Sequence, residues 1–409
     1  MEARGHAVVT GIGLVTPGGC DPEVNWKAVA AGRSLAATDP ALAGLPVDMS
    51  CAVRDFDPVV EFGTRLARRL DPFAHFGLAA ARRAVEDARL PLTEATAPRV
   101  GVVFGVGGNS LHTYAREFDR LGAARPAAVS PLAVPRSVPN MVAGEVACDL
   151  GAQGPNFVVS SACASGAHAL AVARDLLLGG ACDVVLAGGS ESGRAPMTAA
   201  CFARMRALST RTRAPELACR PFDSGRDGFV LGEGAAVLVL ESPRFAGARG
   251  AQRRALLLGA GSSADARHPT SPHPEGAGAE LAVRQALADA GCSPRDIGHI
   301  NAHGTSTPTG DAAEARALLR LFGGAPPPVT ATKGVLGHAL GASGAIEAAL
   351  TVLALERQEI PPTANLTDQD PGHELDLVTS HPRECAFGLA LSTSFGFGGQ
   401  NAALVLAAA

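Results

Sequence analysis

Two stretches, ASGAHALAVARDLLLG at 164–179 and ASGAIEAALTVLALER at 342–357, decide how this chain is read. Both open on the same four residues, and both continue as a helix rich in alanine and leucine. Their few charges, Arg174 and Asp175 in the first and Glu347 with the terminal Glu356 and Arg357 in the second, are too sparse for a surface helix, so both segments belong inside. The alanines and glycines at their starts let another backbone come close. A second echo ends each half: GEGAAVLVL at 232–240 and GQNAALVL at 399–406. Two similar halves that meet through their apolar helices account for the pattern. They also suit a chain of 409 residues, which is too long for one ordinary core. The join falls near 243–255, where PRFAGARGAQRR is polar and rich in arginine, giving halves 1–250 and 251–409.

Around the two helices, short apolar runs alternate with further helical stretches. Strands are expected at 6–10, 99–104, 156–160, 183–188, 235–241, 255–260, 298–302 and 329–332. Helices are expected at 22–31, 72–89, 164–179, 276–291, 311–322 and 342–357. Unbroken apolar strands alternating with helices define an α/β protein whose sheets are buried under helices. With 47% apolar and 18% charged residues the chain is globular, and a net charge of −4 argues against a nucleic-acid partner. No run of eighteen apolar residues occurs, and MEARGHAVVTGIG lacks the pattern of a signal peptide, so a soluble, cytoplasmic protein is expected, with no membrane partner. Nine scattered cysteines form no C-x-x-C pair and no Cys/His cluster at zinc spacing, so free thiols and no metal site are expected. Of 35 basic residues only Lys27 and Lys333 are lysine, the mark of a genome rich in G and C.

Four places carry chemistry. Cys163, in VVSSACASGAHAL, sits between an apolar strand and the first turn of a buried helix. The positive end of a helix lowers a thiol pKa, so a thiolate at neutral pH is expected there. His303 ends the strand of HINAHGTSTPTGD, where α/β proteins place site residues. His338, in TKGVLGHALGASGA, precedes the second ASGA helix as Cys163 precedes the first, so a pseudo-twofold would bring the two together. Lys333 lies five residues upstream of His338, and Glu347 in the following helix is its natural counter-ion. Finally, SFGFGGQN supplies a glycine loop around Phe397 that can bring backbone N–H groups to a ligand. A thiol, two histidines and such a loop point to acyl transfer through a thioester.

These motifs resemble the β-ketoacyl-[acyl-carrier-protein] synthases of the condensing-enzyme, thiolase-fold superfamily. The resemblance runs the whole chain: VVTGIGLVTP, VPNMVAGEVA, SACASG, RPFDSGRDGFVLGEGA, NAHGTSTPTGD, KGVLGHALGASGAIE, PPTANL and SFGFGG. It looks most like the elongating, type II-like branch, which includes ketosynthases of type II polyketide systems. It implies a thiolase-like five-layer αβαβα fold of two duplicated halves. It implies that Cys163 takes the acyl chain, that His303 and His338 act on malonyl-carrier, that Lys333 pairs with Glu347, and that Phe397 and Phe229 gate the pocket. Thr305 and Thr307 would bind the 4′-phosphopantetheine arm, which the carrier brings, so no cofactor of the enzyme's own is implied. The acyl pocket would pass Val106 and Ala133. A bulky aromatic is common at the position of Ala133, so a wider pocket is expected.

The implied partners are an acidic acyl carrier protein and a second ketosynthase, in a homodimer or in a heterodimer with a chain-length-factor-like homologue. Dimerisation would run through the strand at 156–160. Arg65, Arg68 and Arg69, at i, i+3 and i+4, share one helical face that could steer an acidic helix, and Arg206 matches another carrier contact. The chain departs from the family pattern at Thr393, where Asn is usual, and at Gln400, where Thr is usual. Two other readings are a non-catalytic chain-length partner subunit and a thiolase-like enzyme of CoA thioesters. Cys163 speaks against the first, and His303 together with His338 against the second.

Overall fold

The computed structural model describes residues 5–108 and 111–409; residues 1–4 of the amino-terminal stretch quoted above lie outside the described residues. Strand Ala7–Val15, buried along its whole length, sits inside a continuous hydrogen-bonded path of strands. To one side follow Leu231–Glu241, Val184–Ser192, Val100–Gly105 and Asn156–Val159. To the other lies Ala255–Ala264, followed by Gln400–Ala408, Leu389–Gly396, His299–Asn301 and Val329–Thr330.

The pairing senses expose the duplication. Outward from Ala7–Val15 they run antiparallel, antiparallel, parallel, parallel. Outward from Ala255–Ala264 they run in the same order. Among the described residues, the half-sheets join where Ala7, Val8 and Val9 pair with Leu257, Leu256 and Ala255.

Helices Ser165–Leu178 and Ser343–Arg357 are the two ASGA segments, and each touches strands of both half-sheets. They form the middle layer. Their buried side chains and the inner faces of both sheets make one apolar core. Outside, Pro72–Asp87 covers the first half-sheet and Ala277–Ala290 the second, with Pro308–Leu321 beside it. The layers are therefore αβαβα.

Glycine sets the distance at the centre. A Cβ on Gly166 would stand 2.7 Å from the Ala345 backbone nitrogen, and one on Gly344 would stand 2.8 Å from that of Ala167. These are matching positions of the two ASGA motifs, so the crossing is reciprocal.

Some elements differ from the sequence reading. The helix expected at 311–322 begins at Pro308, with Thr307 extended at its N-cap position. Proline at the first helical position gives up an N–H that has no helical partner there anyway, a start signal placed three residues too late by the polar run. The strand expected at 235–241 begins at Leu231. The first half also carries helices Pro58–Arg69, Leu111–Gly122, Met141–Leu150 and Pro196–Arg204, largely in connections that are shorter in the second half. Among the described residues, no helix is long and apolar enough to cross a membrane.

Candidate active site

The corner that presents Cys163 is tightly held. The Ser161 N–H donates to Ser165 Oγ at 2.9 Å, and that hydroxyl donates to the Ala162 carbonyl at 2.6 Å. Ala162 is left-handed, with φ 49°, a conformation costing an alanine about 1–2 kcal/mol. Helix Ser165–Leu178 starts immediately after.

Cys163 opens onto a cavity of about 380 Å³ that His303 and His338 also line. The strict counterpart of Cys163 in the second half is Gly341, three residues past His338. Instead, His338 follows the short helix Lys333–Leu336 and is fixed by its backbone, whose N–H donates to the Val230 carbonyl at 2.8 Å. The two imidazoles meet edge to face, with centroids 5.5 Å apart.

Each histidine has a partner behind it. His303 Nδ1 lies 3.3 Å from Lys333 Nζ, which also donates to the His303 carbonyl at 2.7 Å and forms a buried ion pair with Glu347. An ammonium beside Nδ1 leaves the ring proton on Nε2. His338 Nδ1 shares a 2.9 Å hydrogen bond with Ser343 Oγ, at the start of the second central helix. Burial, and secondly the Lys333 charge, hold both histidines well below the usual range, so they are neutral at pH 7. Burial also pushes the Glu347 carboxyl up to about 7, against the pull of Lys333.

The thiol departs from expectation. Burial pushes Cys163 up to about 11, although Lys333 and the nearby Phe397 N–H both pull it down. The carboxyl of Glu191 adds to the rise. The sulfur reaches the cavity but is walled by protein, so desolvation of the thiolate exceeds the helix-end effect.

The glycine loop is a three-residue hairpin turn between Leu389–Gly396 and Gln400–Ala408. Gly398 and Gly399 are left-handed, at φ 86° and 69°. A Cβ on Gly396 would stand 2.7 Å from the Ser161 carbonyl, so the strand end lies directly on the nucleophile corner. Phe397 is half-buried and lines the cavity, as do Phe229, Thr305 and Thr307. Phe229 packs edge to face on His338, and the Thr305 and Thr307 hydroxyls are 2.9 Å apart.

Carboxylates that sequence reasoning missed hold these loops. Glu314 accepts from the His303 N–H at 2.9 Å and the Gly304 N–H at 2.8 Å. Asp311 accepts from Thr305 N–H at 2.9 Å and, by its other oxygen, from Phe222 N–H at 2.7 Å. Acidic residues in the first turns of a helix, as in PTGDAAEA, were the available signal. Asp265 accepts from Asn401 Nδ2 at 2.9 Å and donates its N–H to the Gly399 carbonyl at 2.8 Å, tying the glycine hairpin to a second loop. Of the two departures Thr393 is hydrogen-bonded, whereas the side-chain oxygen of Gln400 is buried with no partner among the described residues. Thr393 Oγ1 accepts from the His303 N–H at 3.0 Å and donates to Glu314 at 2.7 Å, while the Gln400 amide lies against Gly398.

The family's N-terminal domain, described as "Beta-ketoacyl synthase, N-terminal domain", matches residues 6–246, and "Beta-ketoacyl synthase, C-terminal domain" matches residues 254–367. The chain belongs to the beta-ketoacyl synthase family. A 3-oxoacyl-[acyl-carrier-protein] synthase 2 of Coxiella burnetii is 41% identical over 410 residues, with 99% of each chain covered. Among solved structures, the ishigamide ketosynthase/chain length factor is 34% identical with a TM-score of 0.93, each chain covered fully. A type II polyketide acyl-carrier protein in complex with its ketosynthase bound to the hexaketide is 29% identical with a TM-score of 0.90, again over the full length of both.

In this β-ketoacyl synthase not every residue singled out from sequence reaches the cavity. Val106 and Ala133 are buried, but neither lines the cavity that holds Cys163. Val106 hydrogen-bonds across to Val159, and Ala133 opens the short helix Ala133–Ser137. Lys333 and Glu347 sit behind the histidines and not on the cavity wall. Arg65, Arg68 and Arg69 are exposed at the end of Pro58–Arg69, beyond a kink at Gly63. Arg69, however, is committed to an ion pair with Glu145, leaving Arg65 and Arg68 as the charges of that face. Arg206 is exposed and lines the cavity. Among the described residues, no group of three or more His, Cys, Asp and Glu side chains is placed to hold a metal ion.

Proposed function

We propose that this β-ketoacyl synthase joins a Cys163-bound acyl chain to malonyl-[acyl-carrier protein] with loss of CO₂, giving β-ketoacyl-[acyl-carrier protein]. The observation that carries the reading is one thiol and two neutral imidazoles around a single cavity. The Cys163 sulfur attacks the acyl thioester, the carrier thiol leaves, and the chain rests on the enzyme. Its high resting pKa requires that the thiol proton be passed on during attack, and the carrier thiolate is the group that needs one. Backbone N–H groups of Cys163 and Phe397 hold the oxyanion.

Malonyl-carrier then enters. As its C–CO₂ bond breaks, the electron pair moves onto the thioester oxygen. His303 and His338 donate their Nε2–H groups to that oxygen, with Lys333 and Ser343 occupying the Nδ1 sides. The enolate carbon attacks the acyl-cysteine, and the Cys163 thiolate leaves. Thr305 and Thr307 line the path a pantetheine arm would take, so the carrier brings the only prosthetic group this chemistry uses. Phe397 and Phe229 act as the aromatic gate.

The partner is an acidic carrier protein met by Arg65, Arg68 and Arg206, a likeness supported by the carrier complex of the solved ketosynthase. A second ketosynthase, a copy of this chain or a chain-length-factor-like homologue, is proposed to add to the end strand Asn156–Val159, where Phe157 is exposed. The test is to supply acyl-carrier and labelled malonyl-carrier and to score CO₂ and condensed product. Wild type should yield both, and Cys163→Ala should release CO₂ without product. No condensed product from wild type, with or without a partner subunit, overturns the proposal.

A further inference from the structure

Glu191 lies near the end of strand Val184–Ser192, two residues past Gly189, and is 5% exposed. Successive residues of a strand face opposite ways, so Glu191 shares the face of Gly189. A Cβ on Gly189 would stand 3.0 Å from the Gly341 carbonyl oxygen and 3.2 Å from the Gly166 Cα, so this face looks onto both central helix starts. Among the described residues the Glu191 carboxyl is met by backbone N–H groups and by no cation. Burial pushes it up to about 7, against the pull of those N–H groups. A buried carboxyl without a cation is costly unless hydrogen bonds hold it. Neither half of the proposed reaction uses Glu191, and it does not line the Cys163 cavity.

Its hydrogen bonds span the two halves. Glu191 Oε2 accepts from the Gly107 N–H at 2.7 Å and from the Gly341 N–H at 3.3 Å. Gly107 follows strand Val100–Gly105 of the first half, and Gly341 stands just before helix Ser343–Arg357 of the second. A Cβ on Gly341 would stand 2.1 Å from the Gly107 nitrogen and 2.8 Å from Glu191 Oε2, so the two backbones are in contact. A Cβ on Gly107 would stand 2.9 Å from that same oxygen and 3.0 Å from the Ala162 carbonyl oxygen. Gly107 is therefore wedged between the carboxyl and the nucleophile corner. Gly341 is three residues past His338. One oxygen thus holds the backbone packed under Cys163 and the backbone that leads away from His338.

We propose that Glu191 is a positioning residue that staples the Gly107 and Gly341 backbones together and so sets the spacing between the acyl-bearing Cys163 and the histidines. Each half-reaction tolerates a shift in that spacing. Cys163 takes the acyl chain at its own corner. The two histidines move as a pair, because Lys333, on the short helix that leads to His338, donates to the His303 carbonyl at 2.7 Å. Formation of the carbon–carbon bond does not tolerate it, because the enolate held at the histidines must reach the thioester carbon held at Cys163. Reacting atoms must lie about 3–3.5 Å apart, and a misplacement of about 1 Å costs about a hundredfold. An enolate that cannot reach takes a proton from solvent and leaves as acetyl-carrier, so CO₂ is lost without product.

The inference rests on the condensing activity proposed above, and its test separates the two. Acylation of Cys163 by octanoyl-carrier is followed by intact-protein mass in single turnover. CO₂ release from malonyl-carrier is measured separately on unacylated enzyme. With both substrates present, condensed product is scored against acetyl-carrier, for wild type, Glu191→Ala, Glu191→Gln and Glu191→Asp. Expected for Glu191→Ala are acylation and CO₂ release within about threefold of wild type, with the ratio of condensed product to acetyl-carrier lowered at least about tenfold. An amide oxygen accepts the same two N–H groups, so Glu191→Gln should keep the wild-type ratio. Glu191→Asp is one methylene too short to reach both and should fall between, and it carries the comparison if Glu191→Ala does not fold. An unchanged ratio in the shortened variants, a loss in Glu191→Gln as large as theirs, or half-reactions that fall as far as the ratio would each overturn the inference. Failure of wild type to condense would instead overturn the proposed function.

Discussion

The two halves share a strand order and a central helix but not their chemistry. In the first half, the residues before the helix form a compact corner that presents one sulfur. In the second, the equivalent position is Gly341, and the reactive ring sits three residues earlier, on a turn braced by Val230. The difference teaches how a duplicated scaffold makes an asymmetric site. Two helix starts cross at matched glycines, so anything placed near either start arrives at one point. One start then carries Cys163, while the other brings His338 to the same cavity, with His303 arriving from the strand His299–Asn301.

The division of labour can be broken from the second half first. His303→Ala or His338→Ala should lower CO₂ release about 10²–10³-fold each, the usual effect of losing one oxyanion donor. Cys163 acylation should stay within a few-fold, read in the same single-turnover mass assay. If both half-reactions fell together, the halves would not divide the chemistry. Next in size is Lys333→Arg. Lys333 is 2% exposed and places one nitrogen among the His303 ring, the His303 carbonyl and Glu347. A guanidinium keeps the charge but is a wide, flat fork. The expected loss of decarboxylation is about 10–100-fold, of the order of 1.4–2.7 kcal/mol. Near-normal CO₂ release would show that charge alone suffices.

The scaffold's symmetry predicts equal effects. Gly166→Ala and Gly344→Ala each push a methyl into the other helix's backbone, and each should cost about 1–3 kcal/mol in denaturant unfolding. A large inequality would mean the crossing is not shared evenly. The smallest effect concerns His299, on the strand that leads to His303. Its ring is fully buried, neither nitrogen has a partner, and burial pushes it down to about 3. A histidine lowered on folding contributes stability above its unfolded pKa near 6.5 and loses it as pH falls toward the folded value. Below pH 6.5 the loss is about 1.4 kcal/mol per pH unit. His299→Leu should flatten the decline in unfolding free energy between pH 6.5 and 5 by roughly that amount. An unchanged slope would remove His299 from the acid response.

The layers and the duplicated helices were legible because a repeated ASGA start and unbroken apolar strands are local patterns. Cys163, His303 and His338 were legible for the same reason, each standing at the junction of a strand or turn with a helix. What sequence hid was depth. The helix end before Ser165 promised a reactive thiolate, and the walls around Cys163 reverse that. That Ala133 lies off the cavity of this chain depended on which surfaces line it, something spacing does not carry. The triplet of arginines was read as one surface, yet Glu145, distant in sequence, claims Arg69. Glu314, Asp311 and Asp265 were invisible because their partners are backbone N–H groups of loops whose paths only the fold defines.

The glycine crossing has a consequence for how the chain is made. Helix Ser165–Leu178 is covered only when Ser343–Arg357 lies across it, and the half-sheets otherwise share three residue pairs. At a synthesis rate of about 5–20 residues per second, the second helix leaves the ribosome roughly 10–35 s after the first. For that interval the nascent first half has an open apolar groove and no partner for it. Birth, more than the finished molecule, is when this protein is most exposed to wrong associations.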